Sequence, residues 1–178
     1  MMTTADDTRS RILAAARELF AERGYANTSL ADIAAAVGLT KTAIAYHFHP
    51  KDRLAAELIA PAAEDMIALL GADFAGDRRA FVTALAGFMV RHRAVMRLFM
   101  EDLGTADAAP PGSTGEAVRT FRDEIYLKLV GPRPDEAATV RGWAVLGALQ
   151  SAVVHTMDLP QDQVHATLLR AALAIEDL

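Results

Sequence analysis

A chain of 178 residues, 52% of them hydrophobic and 23% charged, has material for one or two buried cores, and its 11 Gly and 7 Pro leave room for long regular segments. It contains no Cys, which excludes a disulfide scaffold and any thiolate metal site. The net charge of −5 is uneven: residues 1–54 carry 7 Lys and Arg against 6 Asp and Glu, and residues 55–178 carry 11 against 17, so a near-neutral N-terminal part precedes an acidic body.

After a short N-terminal stretch expected to fray, Thr8 to Arg23 reads as a helix with Ile12, Leu13, Ala16, Leu19 and Phe20 on one side. Gly24 stops it and Tyr25 can pack beneath the next two helices. Arg9, Arg11 and Arg17 stay outside, as solvated groups or close to a phosphate backbone.

Ser29 can cap a second helix, with Asp32 as the reciprocal member of a capping box and Leu30, Ile33, Ala34 and Val37 inward. Gly38 ends it in a turn that favours positive φ, and Thr40 caps a third helix. There Ile44 and Phe48 point inward while Thr42 and Tyr46 point away, with Thr40 and Lys41 at the N-terminus. The pattern is a helix-turn-helix. Short hydroxyls, a lysine and an aromatic ring suit base edges and phosphates; the plainer reading is a solvated face on a three-helix core.

His49-Pro50 disfavours helix and opens a fourth one running towards Leu70. Lys51 near its start opposes the helix dipole, which makes sense beside a phosphate; otherwise it is an exposed lysine. Pro61 predicts a kink or break, and Met66, Leu69 and Leu70 face a core beyond it. Gly71 to Gly76 reads as a loop, and Asp77 caps a fifth helix to His92 that buries Phe81, Leu85, Phe88 and Met89. A sixth spans Ala94 to Leu103, with Val95, Leu98, Phe99 and Asp102 at helical spacing.

Gly104 to Gly115 is rich in Pro, Gly and small polar residues and reads as a surface connection. A seventh helix spans Glu116 to Val130 with Val118, Phe121, Ile125 and Leu129 inward, and Gly131-Pro132-Arg133-Pro134 breaks it. The eighth spans Asp135 to Met157 and the ninth Gln161 to Glu176. Along these two, Gly142, Ala144, Gly147, Ala148 and Ser151 allow close helix approach, and Leu146, Leu149, Val153, Leu168, Leu169 and Leu173 supply bulk, for an internal core or for another chain.

The segment Ile12 to Leu54 resembles the TetR (tetracycline repressor) family. The residues that carry the likeness are Glu18-Leu19-Phe20, Gly24-Tyr25, Thr28-Ser29, Ile33-Ala34, Gly38-Leu39-Thr40, Tyr46-His47-Phe48 and Lys51-Asp52-Arg53-Leu54, in the family's order. The resemblance implies an all-α protein of about nine helices, with a helix-turn-helix DNA-binding domain over residues 1–50 and a helical ligand-sensing and dimerisation domain over 51–178. It implies DNA contacts from Thr28, Ser29, Thr40, Lys41, Thr42, Ala43, Tyr46, His47 and Lys51, and a homodimer through the last two helices by way of Leu146, Leu149, Val153, Leu168, Leu169 and Leu173.

It also implies a space between the middle helices for a small apolar or amphipathic effector whose binding releases a palindromic operator. The adaptable and aromatic candidates are Met66, Leu70, Phe88, Met96, Phe99, Met100, Phe121, Tyr126 and Trp143, with His92 and Gln150 as polar partners and Arg97 and His155 beside them. Filled core is the alternative for each. The expected function is a repressor of transcription. An effector-independent DNA-binding dimer is one alternative, and a small helical enzyme built on His92, Glu101, Asp102 and His155 is another, although no catalytic motif, cofactor fingerprint or metal motif is present. No apolar run reaches the roughly 20 residues that span a bilayer, and the N-terminus lacks a signal peptide's basic start, so a soluble cytoplasmic protein without a membrane partner is expected.

Overall fold

The computed structural model describes the backbone over residues 4–103 and 114–177 and the side chains over residues 7–98 and 116–177. Among the described residues the chain is all-α, with helices α1 (Thr4–Arg23), α2 (Leu30–Val37), α3 (Lys41–His47), α4 (Lys51–Gly71), α5 (Arg78–Arg91), α6 (Arg93–Leu103), α7 (Thr114–Val130), α8 (Glu136–His155) and α9 (Gln161–Glu176). Residues 104–113 of the expected loop lie outside the described ones, and Thr114 already belongs to α7. Two compact units form, Met1–Ala63 and Glu64–Leu178.

In the first unit α2 packs on both α1 and α3. Ile12, Ala16 and Phe20 of α1, Ile33 of α2, Ile44 of α3 and the adjoining Phe48 have no exposed surface, as the helical spacing predicts. Leu13 and Val37, expected inside, are half-buried at the edge. Each large apolar side chain removed from water here stabilises the unit by about 1.5–3 kcal/mol. Truncating one that cannot be replaced by collapse, such as Phe48→Ala, costs about 3–5 kcal/mol.

The first half of α4 also belongs to this unit, because Leu54, Leu58 and Ala62 recur at four-residue spacing and are all buried. The unit therefore runs past residue 50 to Ala63. Pro61 does not interrupt α4, which continues to Gly71. Its ring is on the exposed side, where water can satisfy the carbonyl that proline leaves without a partner.

The second unit is built on the packing of α5 against α9, with α8 lying on both and α6 and α7 packed on α8. Asp77 and Asp135 cap α5 and α8, their carboxylates accepting from Ala80 N at 3.0 Å and Ala138 N at 2.7 Å. The core joins Phe81, Leu85, Phe88 and Met89 of α5 with Ile125 and Leu129 of α7, Val145 of α8 and Val164 and Ala172 of α9.

This packing takes four of the six expected dimer residues into the chain's own core. Leu146, Leu149 and Val153 have no exposed surface and Leu168 is 6% exposed, all inside one chain, while Leu169 and Leu173 are half-buried against the same core. Neighbouring helices already consume the bulky face of α8. The small residues divide: Gly142 is buried, with Val130 and Tyr126 where a Cβ would go, whereas Ala144, Gly147 and Ser151 are exposed.

One helix also departs from the membrane expectation. At 20 residues and a mean hydropathy of 1.2, α8 is long and apolar enough to cross a bilayer. Its apolar side chains at Val145, Leu146, Leu149 and Val153 are instead spent on the core, so its composition is weak evidence for a membrane.

Candidate nucleic-acid interface

The start of α2 is held by the capping box that Ser29 and Asp32 predict. Asp32 N donates to Ser29 Oγ at 3.2 Å, and Ser29 N donates to Asp32 Oδ2 at 2.8 Å. The Ser29 hydroxyl also donates to that carboxylate at 2.6 Å, and this bond, then the backbone one, holds the Asp32 carboxyl below its ordinary range. Gly38 closes the helix at φ 69° and ψ 32°, and Leu39 N reaches back to Ala34 O at 2.9 Å. A Cβ at Gly38 would meet nothing, so backbone conformation, not space, selects glycine there.

Thr40 caps α3 by accepting from Ala43 N at 3.1 Å. Ile44 turns inward, which fixes the rotation of the helix. Lys41, Thr42 and Tyr46 are then exposed and Ala43 half-buried. Tyr46 is 87% exposed, and His47 lies edge-on to it with ring centroids 5.2 Å apart. The helix thus presents a cation, a hydroxyl and an aromatic ring with a polar tip to solvent, groups that can meet phosphate and base edges.

Two expected contact residues point elsewhere. Thr28 is 1% exposed, and its hydroxyl donates to Gly24 O at 2.9 Å, with Leu19 O at 3.3 Å, sealing the end of α1. Lys51 is half-buried. Its Nζ donates to Tyr25 O at 2.8 Å and Thr28 O at 3.0 Å and lies 3.8 Å from the Tyr25 ring centroid. A lysine at the first residue of a helix gave no sequence signal for this, because its partners lie 23 and 26 positions away.

The arginines of α1 separate in the same way. Arg9 pairs with Glu57 and sits over the Phe48 ring at 5.4 Å, and Arg11 Nη2 donates to Val37 O at 3.0 Å, satisfying the C-terminal end of α2. Arg17 remains exposed. The phenol of Tyr25 donates to Asp52, and burial first, then that carboxylate, pushes its pKa well above the ordinary tyrosine range, so it stays a donor.

Residues 12–58 match the family model described as bacterial regulatory proteins, tetR family. This segment is similar to the N-terminal DNA-binding part of that family. The HTH-type transcriptional regulator TtgR of Pseudomonas putida is 46% identical over 55 residues, which are 31% of this chain and 26% of that protein. The match therefore spans about a quarter of that relative's length. The fold extends further: a transcriptional regulator of Aquifex aeolicus VF5 superposes at a TM-score of 0.63 with 22% identity, covering 94% of this chain and 99% of its own. A TetR-like transcriptional regulator of Rhodococcus sp. RHA1 gives 0.65 with 21% identity, covering 97% of each.

The expected effector residues differ in where the fold places them. Met66 and Phe88 are core, while Leu70, Met96, Phe121 and Tyr126 are half-buried against it and Gln150 is half-buried on α8. Trp143 is 46% exposed and stacks on Tyr126 with centroids 4.7 Å apart, below the Arg122 guanidinium. His92 shares a hydrogen bond between Nε2 and Asp65 Oδ2 at 2.8 Å and packs on Phe88. The side chains of Phe99, Met100, Glu101 and Asp102 lie outside the described residues, and His155 bonds Ser151 O on its own helix at 2.8 Å.

Two cavities are lined by other residues. One of about 290 Å³ is bordered by Phe74, Phe81, Asp77 and Lys128, and one of about 440 Å³ by Glu136, Val140, Ala144 and Ile175.

Proposed function

We propose that the protein is a DNA-binding transcriptional regulator that represses by occupying a palindromic operator as a homodimer in the cytoplasm, and that it has no catalytic role. The observation that carries this reading is the outward face of α3: Tyr46 stands 87% exposed beside Lys41 and Thr42, while Ile44 of the same short helix is fully buried. A helix anchored on one side and bare on the other, at the end of a capped turn, fits the major groove.

The dimer surface belongs on the exposed side of α8 and α9, not on their leucines. Val140 is 68% and Trp143 46% exposed, and Ala144, Gly147, Ala171 and Ala174 are exposed nearby in register. Small residues of this kind let two helices from another copy approach closely, and two-fold symmetry would set two copies of α3 on a palindrome. The unit of residues 1–63 would read DNA and the unit of residues 64–178 would assemble the dimer and sense an effector of apolar or amphipathic character, for which the half-buried Met96, Phe121 and Tyr126 are suitable lining.

The test is to select bound duplexes from a random pool and to measure the mass of the complex. A palindromic sequence bound by two chains supports the proposal, and no enrichment over the starting pool contradicts it.

A further inference from the structure

We infer that Lys51 and Asp52 are positioning residues that clamp Tyr25 from two ends and so set the entry of the helix-turn-helix, and that Lys51 is not a phosphate ligand. This rests on the DNA-binding reading above and names what holds its reading head in place.

A cation at the first position of α4 faces the positive end of the helix dipole and is unfavourable there without compensation. The compensation is local and complete enough to account for the residue. Two of the three ammonium N–H groups meet carbonyls of the α1–α2 link, Tyr25 O and Thr28 O, and the charge lies 3.8 Å from the face of the Tyr25 ring. The next residue, Asp52, takes the phenol of the same tyrosine. Consecutive residues of one helix therefore grip one tyrosine by its backbone, its ring and its hydroxyl.

The grip acts on the start of α2. Tyr25 to Thr28 lead directly into Ser29, the N-cap of that helix, and Thr28 is already locked to Gly24 and Leu19 by its hydroxyl. The Tyr25 ring meets Phe20 edge-on at 5.3 Å, tying the link to α1. Fixing this link fixes the direction of α2, and through the Gly38 turn that of α3. A phosphate ligand would have to pull the ammonium off two carbonyls and a ring.

Arginine separates the two roles, since a guanidinium keeps a charge for phosphate while its larger planar head does not reproduce the compact ammonium's fit between two carbonyls and a ring. Duplexes selected by the parent protein are titrated against salt with the parent, K51R, K51M and K41A, and amide hydrogen exchange is measured in the DNA-free proteins. We expect K51R and K51M both to lose about tenfold or more in affinity with the parent's salt slope retained, while K41A lowers the slope by about 1. Amides of residues 25–30 should exchange about tenfold faster in K51R and K51M and unchanged in K41A.

Parent-like affinity in K51R, a slope lowered by about 1 in K51M and unaltered exchange in both would overturn the inference. Should K51M fail to fold, Y25F removes only the bond to Asp52; faster exchange over residues 25–30 then supports the clamp and unaltered exchange overturns it. A parent protein that selects no duplex defeats the DNA-binding reading, while the exchange of K51R still decides the clamp in the same two ways.

Discussion

Ile44 and Tyr46, neighbours but one on α3, face opposite ways: Ile44 has no exposed surface and Tyr46 keeps 87% of its own. Removing the tyrosine should therefore take nothing from the fold. Tyr46→Ala is expected to leave stability within about 0.5 kcal/mol of the parent, the usual range for a surface change, and to weaken operator binding by about tenfold or more. Thermal melting and a binding titration of one preparation check both. Thr42→Ala should change preference at one base position if its hydroxyl reaches the groove, which repeated selection with the variant reads directly.

Gly142 and Val130 set a second expectation. A Cβ at Gly142 would overlap Val130 Cγ1 and come within 3.3 Å of Tyr126. Val130 is 5% exposed and β-branched, so it cannot swing aside freely. Overpacking of about 1–3 kcal/mol then outweighs the gain of about 1 kcal/mol that alanine brings to a helix. Gly142→Ala should lower the melting temperature, and adding Val130→Ala should recover part of the loss attributable to the clash.

Gly147 provides the contrast, because nothing lies within 4 Å of where its Cβ would be. A large charge there is harmless to a single chain and damaging to a helix from another copy. Gly147→Glu and Ala144→Glu should keep the helical spectrum and halve the mass by sedimentation, whereas a charge at Leu149 should unfold the chain, since burying an unpaired charge costs several kcal/mol. Full-mass dimers in both glutamate variants would move the interface off this face.

Asp65 contributes a pH dependence in the second unit. Its carboxylate accepts from His92 Nε2 at 2.8 Å and from Arg91 at 3.3 Å, and the His92 bond foremost holds its pKa below the ordinary 3.8. A depressed folded-state pKa contributes stability that is present above the unfolded value and lost as pH falls through the folded one. Asp65→Asn should thus melt below the parent at about pH 6, and the gap should close as pH drops below about 4. A gap of constant size would assign the effect to shape and not to charge. Because Asp65 is 46% exposed on its side chain, the effect should be small.

The local features of the fold were legible in the sequence because they depend on residues close together in the chain. The Ser29–Asp32 capping box, the Gly38 turn, the Asp77 cap and the inward spacing of Ile44 and Phe48 all depend on positions at most five apart. The hydrogen bonds of Lys51 and Thr28 were not legible because their partners are carbonyls, which every residue carries and no sequence pattern marks. The leucines of α8 and α9 were ambiguous for a related reason: hydrophobic spacing identifies a buried face but not whether the same chain or another one buries it. Pro61 was expected to kink or break α4 on local grounds, and there is no break: its place on the exposed side of the helix, which only the tertiary packing defines, lets the helix continue.

The most direct test of the central claim, that α3 reads DNA, is the salt-dependent affinity of the parent and of Lys41→Ala and Tyr46→Ala for a duplex selected from a random pool by the parent. The account predicts a selected sequence with two half-sites separated by about one helical turn or a multiple of it, weaker binding in both variants, and a salt slope lower by about 1 for Lys41→Ala alone. Undiminished affinity and an unchanged slope in both variants would contradict it, and would place the DNA contacts on some other face of the N-terminal unit.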